Sequence, residues 1–131
     1  MTETTTYQAT LERYVRFWNA TTPDEQHRLA AETFVEDVEY HAPVGILTGA
    51  AALIDFHDQF IQHMGTAVFR GRDEPQLHHD RARFAWEIQV GGEGQFAAGT
   101  DVLAFTADGR IGSISSFLDR APEGFDPTAH H

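Results

Sequence analysis

The spacing of apolar residues changes near residue 66, and that change constrains the fold more than any other feature of the chain. Up to that point apolar residues recur mainly every three or four positions, with one alternating stretch at 35–43; beyond it they recur every second one. Leu11, Tyr14, Val15 and Trp18 fall at i, i+3, i+4 and i+7 and predict a helix over about residues 7–20. "TTPDEQ" supplies a Thr N-cap, Pro23 at the first helical position and acids in the first turn, which predicts a second helix over 23–33. "VEDVEYHAP" alternates Val38, Tyr40 and Ala42 against Asp37, Glu39 and His41, and reads as a strand ending at Pro43. Leu53, Phe56, Phe60 and Met64 line one face of a third helix over roughly 49–64, with Gly65 as its C-cap. Candidate strands follow at 66–72, 75–79, 81–90, 95–106 and 110–119, with "GGEG" and "ADG" as hairpin turns. Helix, helix, strand, helix and then an antiparallel meander predicts an α+β domain with its helices on one face of the sheet.

The length of 131 residues suits one domain with one core, and no linker or repeat divides it. The domain is therefore expected to span 1–131. Twenty acidic residues oppose nine arginines and lysines, for a net charge of −11. Such a surface repels phosphate backbones and anionic lipid, so neither nucleic acid nor membrane is expected as a partner. The absence of cysteine removes disulfide and thiolate chemistry. "MTETTTYQAT" has neither the basic region nor the apolar run of a signal peptide, which makes a cytoplasmic location the expectation.

Within "GTDVLAF", strand alternation puts Asp101 on the same face as Gly99, Leu103 and Phe105. A carboxylate on an apolar face must raise its pKa or find a partner. Asp101 is thus a candidate acid or base facing a pocket; the alternative is a carboxylate held by backbone N–H groups or an arginine. Trp18, Phe56, Phe60 and Trp86 are candidates for an aromatic wall around a flat apolar ligand, against which stands ordinary core packing. His41 suits proton transfer near neutrality. If Ala42 points inward, however, Tyr40 does too and His41 points out, unless a bulge or the bend before Pro43 turns it. Tyr40 is accordingly the better candidate for a polar group lining the pocket. His57 and His63 are six apart and His78 and His79 adjacent, so no histidine set has metal-ligand spacing, and no metal or cofactor is expected.

The order of elements, with "RYVRFWNA", "HAPVG", "TGAAALIDF" and "GTDVLAFTADGRIGSISSFLD", resembles the NTF2-like superfamily, and within it the SnoaL-like polyketide cyclase and ketosteroid isomerase branch. The resemblance covers a core over about residues 8–120 and implies a cone: a curved, mostly antiparallel sheet with three helices on its concave side. It also implies a homodimer joined through the outer sheet face. In ketosteroid isomerases a first-helix tyrosine and a late-strand aspartic acid, kept neutral by an apolar site, form the oxyanion hole. Those positions fall on Tyr14 and Asp101. The general base of that family stands just before a Pro-Val-Gly corner, and here that position is Ala42. The leading expectation is a cofactor-free isomerase, cyclase or dehydratase acting on a small hydrophobic carbonyl or enol compound. Asp101 and Tyr14 would serve the oxygen, and His41 or a bound water would move the proton. A non-catalytic ligand-binding or scaffold domain is the second expectation, and an epoxide hydrolase, which needs an Asp-Arg-Asp set, the third.

Overall fold

The computed structural model describes residues 2–43, 45–65, 67–91 and 95–120. Three helices, α1 (Thr2–Trp18), α2 (Pro23–Thr33) and α3 (Ala50–Met64), accompany seven strands among these residues. The strands are β1 (Phe34–Ala42), β2 (Gly45–Thr48), β3 (Ala67–Gly71), β4 (Gln76–His78), β5 (Arg81–Val90), β6 (Gln95–Phe105) and β7 (Ile111–Arg120). They form one mixed sheet in the order β2-β1-β7-β6-β5-β3, with β4 also on β5. The architecture is the α+β cone that the resemblance implies. No helix among the described residues is long and apolar enough to cross a membrane.

The sequence signals at the helix ends act as expected. The Thr22 side chain accepts the Glu25 N–H at 3.2 Å, Pro23 opens α2, and Gly65 caps α3 at φ 76°. Other details differ. The buried face of α1 is Tyr7, Thr10, Leu11, Tyr14 and Phe17, one position round from the expected stripe, so that Val15 and Trp18 are only half-buried. In α3 the deepest residues are Leu53, Ile54 and His57, while Phe56 and Phe60 stand at the margin. The side chain of Met64, and most of the "GGEG" turn, lie outside the described residues.

β2 is a strand that alternation did not reveal, because four residues after a proline corner are too few to show a period. It hairpins onto β1, pairing Tyr40 with Leu47 and His41 with Ile46. The sheet also departs from a pure meander at one place: β1 lies parallel to β7, pairing Tyr40 with Ile114.

Curvature comes from irregular pairing. Register shifts occur between Phe34 and Glu39 in β1, at Phe96 of β6 against Ile88/Gln89, and at Asp119 and Gly112 of β7 against Ala98/Gly99 and Ala104/Phe105. Each such bulge bends its strand and increases its twist. The concave face then holds Val38, Leu103, Ile111 and Ile114 against Tyr14, Phe17, Phe34 and Leu53, all essentially inaccessible to water. Burying each side chain of this size contributes about 1.5–3 kcal/mol.

The end of α1 is stitched to the sheet edge by Asn19. Its amide donates to the Phe69 carbonyl at 2.7 Å and accepts the Phe69 N–H at 2.8 Å, as a neighbouring strand would. This fixes the C-terminal turn of α1, and with it Tyr14 and Trp18, over the strands that carry Asp101 and Trp86.

Candidate functional site

Asp101 points into the cone and is 1% exposed. On β5 its pairing partner is Phe84, and on β7 it is Ser116. Tyr14, reaching down from α1, donates its hydroxyl to Oδ2 at 2.6 Å. Trp86 donates its indole N–H to Oδ1 at 2.8 Å. The Ser116 hydroxyl lies within hydrogen-bonding reach of both Asp101 and Tyr40. Both carboxylate oxygens are therefore met by uncharged donors.

The indole of Trp86 reaches Asp101 because its neighbour on β6 is Gly99. A Cβ at Gly99 would run into the Trp86 ring on one side and the Phe117 carbonyl on the other. The glycine at this bulge is a requirement for space, and it lets the ring lie flat across the strand.

Aromatic rings enclose the tyrosine. Trp18, Phe34, Phe69 and Phe84 each meet the Tyr14 ring edge-to-face, with centroids 6.1, 6.0, 6.0 and 6.3 Å away. Such edge-to-face pairs add to the gain from area burial alone.

Electrostatics follow from this enclosure. Burial pushes the Asp101 carboxyl above the usual carboxylate range, while hydrogen bonds from Ser116, Tyr14 and Trp86 work against the rise. Burial also drives the Tyr14 hydroxyl well above its ordinary value, and the charge of an ionised Asp101 drives it further. Tyr40 shifts the same way, first through burial and then through Asp101. The cluster can hold an acidic proton in a dry setting without a cation. With Asp101 neutral, its O–H can donate to the Tyr14 oxygen, which frees the Tyr14 proton for a ligand atom. With Asp101 ionised, Tyr14 donates to it.

The other candidates separate into three groups. Tyr40, Trp18 and Phe56 come together: Trp18 and Tyr40 are 6.0 Å apart, Trp18 and Phe56 6.2 Å, and Tyr40 and Phe56 6.3 Å. Phe60 packs instead on Phe96, at 6.3 Å. His41 is not brought to the cluster. Its side chain is 48% exposed and stands 3.3 Å from Glu39 on the outer face, opposite Ile46 and Ser115. The strand stays regular there, so parity decides and the bend before Pro43 does not rescue an inward histidine.

Ser116, Phe69 and Phe84 were not singled out from the sequence. A signal existed for Ser116: in "SISSFLD" it shares a face with Ile114 and Leu118, the same polar-on-apolar pattern that flags Asp101. The role of Trp86 as a donor needed knowledge of the β5–β6 register.

A second feature lies beyond Trp18. A cleft of roughly 630 Å³ opens between the end of α1, the start of α2, and α3, and its walls include Trp18, Gln26 and His57. His57 is buried, with Nε2 2.9 Å from the Trp18 carbonyl and Nδ1 2.5 Å from the Gln26 amide nitrogen. Nε2 can donate to the Trp18 carbonyl, and Nδ1 faces the Gln26 amide and, at 3.4 Å, Asp58 Oδ1. Asp101 and Tyr14 are not among the residues lining this cleft.

A cone closed by helices over a buried acid and a tyrosine defines a member of the NTF2-like fold, and the comparisons narrow the class. The model of the SnoaL-like domain matches residues 11–114, and the chain belongs to that family. A protein from Agrobacterium tumefaciens, described as a candidate isomerase of the SnoaL-like family, superposes with a TM-score of 0.81 at 23% identity, over 88% of this chain and 98% of that one. A candidate SnoaL-like polyketide cyclase from Jannaschia sp. is 16% identical, with a TM-score of 0.68 over 88% and 86% of the two chains. An NTF2-like protein of unknown function from Exiguobacterium sp. is 20% identical, with a TM-score of 0.68 over 84% and 98%. At these identities the likeness is one of fold. No curated protein matches the sequence.

Proposed function

We propose that this protein is a cofactor-free acid/base enzyme of the SnoaL-like kind, an isomerase, cyclase or dehydratase acting on a small hydrophobic compound with a carbonyl or enol oxygen. The observation that carries the reading is the 2.6 Å bond between Tyr14 and Asp101, buried without a cation. Structural carboxylates in a core usually ionise against an arginine or backbone N–H groups. Here the donors are a phenol, an indole and a hydroxyl, and burial favours the protonated acid. Donors fixed against a developing enolate are worth roughly 3 kcal/mol each in other enzymes. In this reading Tyr14 polarises the substrate oxygen, Asp101 holds or returns the proton, and Trp18, Tyr40, Phe56 and Trp86 pack around the ligand. His41, on the outer face, takes no part, so with Asp101 protonated and Tyr14 turned to the substrate oxygen, a bound water moves the proton.

The same reading takes the protein to be a cytoplasmic homodimer. Phe117 at 58% and Ile46 at 65% exposure, with Val102, leave apolar surface on the outer sheet face for a second copy. Phe117→Arg should then convert dimer to monomer in sedimentation.

A non-catalytic binding module is the second reading. It is favoured by the two filled oxygens of Asp101 and by Ala42 at the position of the family's base. Turnover of a panel of enones and enol ethers, by wild type and by Asp101→Asn, separates the two. The enzyme reading expects a loss of at least a hundredfold in kcat/KM in the variant. Turnover unaffected by Asp101→Asn would refute the mechanism, and tight binding without any turnover would establish the module.

A further inference from the structure

The indole N–H of Trp18 is buried and, among the described residues, meets no acceptor with hydrogen-bond geometry. A buried donor without a partner costs about 1–3 kcal/mol, and native chains seldom keep one without a use. Trp18 follows Tyr14 by four residues, so helical spacing brings the two side chains to the same side of α1. Their rings meet edge-to-face at 6.1 Å with planes 84° apart. The indole N–H lies close enough to the Tyr14 oxygen to favour its ionised form, yet makes no hydrogen bond of acceptable geometry with it. Two polar atoms, one on each ring, thus lie near each other at the edge of the Asp101 cluster, and one of them lacks a partner.

The position of the Trp18 ring gives the idle donor a context. Of the rings that enclose Tyr14, only Trp18 also lines the 630 Å³ cleft. It stands between the cleft and the acid. The nitrogen is shielded from water as it lies, so an acceptor reaches it only when the ring yields, and the cleft provides the room.

We propose that the Trp18 indole N–H is a ligand-binding donor that holds the carbonyl oxygen of a flat hydrophobic ligand beside the Tyr14 hydroxyl, with the cleft as the way in. This deepens the enzyme reading above and rests on it for the ligand class. Within that reading it adds a residue that touches substrate and a direction of approach. It also ties the dry Tyr14–Asp101 pair to solvent through one movable side chain.

The test uses two probes of the same shape, 2-acetylnaphthalene with a carbonyl and 2-ethylnaphthalene without one. The chain has two tryptophans, so its ¹H–¹⁵N spectrum should carry two indole signals, and Trp18→Phe assigns them. The expected result is a downfield move of the Trp18 indole proton with the ketone and none with the hydrocarbon. In parallel, Trp18→Phe should weaken the ketone about tenfold and leave the hydrocarbon unchanged, since it removes one hydrogen bond and keeps the ring packing. If the ketone binds and Tyr14→Phe weakens it, while the Trp18 signal and the affinity of Trp18→Phe do not move, the donor role is overturned and the enzyme reading stands. If Trp18→Phe alters both probes equally, the residue only packs, and the proposal fails. Wild type that binds neither probe overturns this inference together with the ligand class on which it rests. The signal shift is read on wild-type protein, so the test does not depend on the variant folding.

Discussion

Asp101 and Asp119 stand on adjacent strands of the same sheet, and they solve the same problem in opposite ways. Asp119 faces outward with 45% of its side chain exposed, and its Oδ2 accepts from Arg72 at 2.6 Å and Thr100 at 2.8 Å. Asp101, the residue after Thr100, faces inward and accepts from Tyr14 and Trp86. Water can solvate whatever an ion pair leaves exposed, so a guanidinium is an inexpensive partner outside. Inside, a second buried charge would bring its own desolvation penalty, whereas neutral donors satisfy the oxygens and leave the carboxyl free to take up a proton. The difference between the two faces is the difference between a group fixed as a charge and a group whose protonation remains available.

The comparison can be broken most forcefully at Gly99, which serves the inner site from the backbone. Gly99→Ala should destabilise the fold by about 3 kcal/mol in urea denaturation, because the new methyl meets the Trp86 ring and the Phe117 carbonyl. A near-neutral result would mean that the strand relaxes and that the Trp86 contact is not confined. Next is Tyr14→Phe, which should cost about 2 kcal/mol by removing a donor from a buried acceptor. Asp119→Asn should change stability by less than about 0.5 kcal/mol, and by less still in high salt. Equal effects from these last two substitutions would erase the distinction between the faces.

The pH dependence sharpens the same contrast. Burial raises the pKa of Asp101 in the folded protein above an unfolded value near 3.9. Across the window between those two values the folded state binds more protons than the unfolded one. The contribution of Asp101 to stability is therefore complete below the unfolded pKa, declines as pH rises through the window, and levels off above the folded pKa. Subtracting the profile of Asp101→Asn from that of wild type should expose this fall with rising pH. A difference that is flat or that rises across the window would mean that the three hydrogen bonds outweigh burial.

Much of this was legible along the chain. Thr22, Pro23 and Gly65 marked helix ends because caps are local chemistry. The alternation in "RARFAWEIQV" located β5 without error at either end. Asp101 declared itself through a single carboxyl on an otherwise apolar strand face. Less was legible where a decision depended on neighbours distant in sequence. Helix periodicity defines a stripe only to within one residue, so Phe17 and His57 were passed over while Val15 and Phe60 were overvalued. β2 was too short to show its period, and the parallel β1–β7 pairing leaves no trace in either strand alone.

Sequence by itself determined which residues face which way, because helix and strand geometry impose periods of 3.6 and 2 on any chain that adopts them. That suffices for an acid on the apolar side of β6 and for a tyrosine on the buried side of α1. It also suffices to send His41 outward. Only tertiary structure decided that the tyrosine and the acid, 87 residues apart, share a hydrogen bond. The same is true of Trp86, which crosses a glycine to join them, and of Trp18, whose N–H is left without a partner beside them. Those outcomes depend on bulges, on the anchoring of α1 by Asn19 and on sheet register, which arise from packing the whole molecule at once.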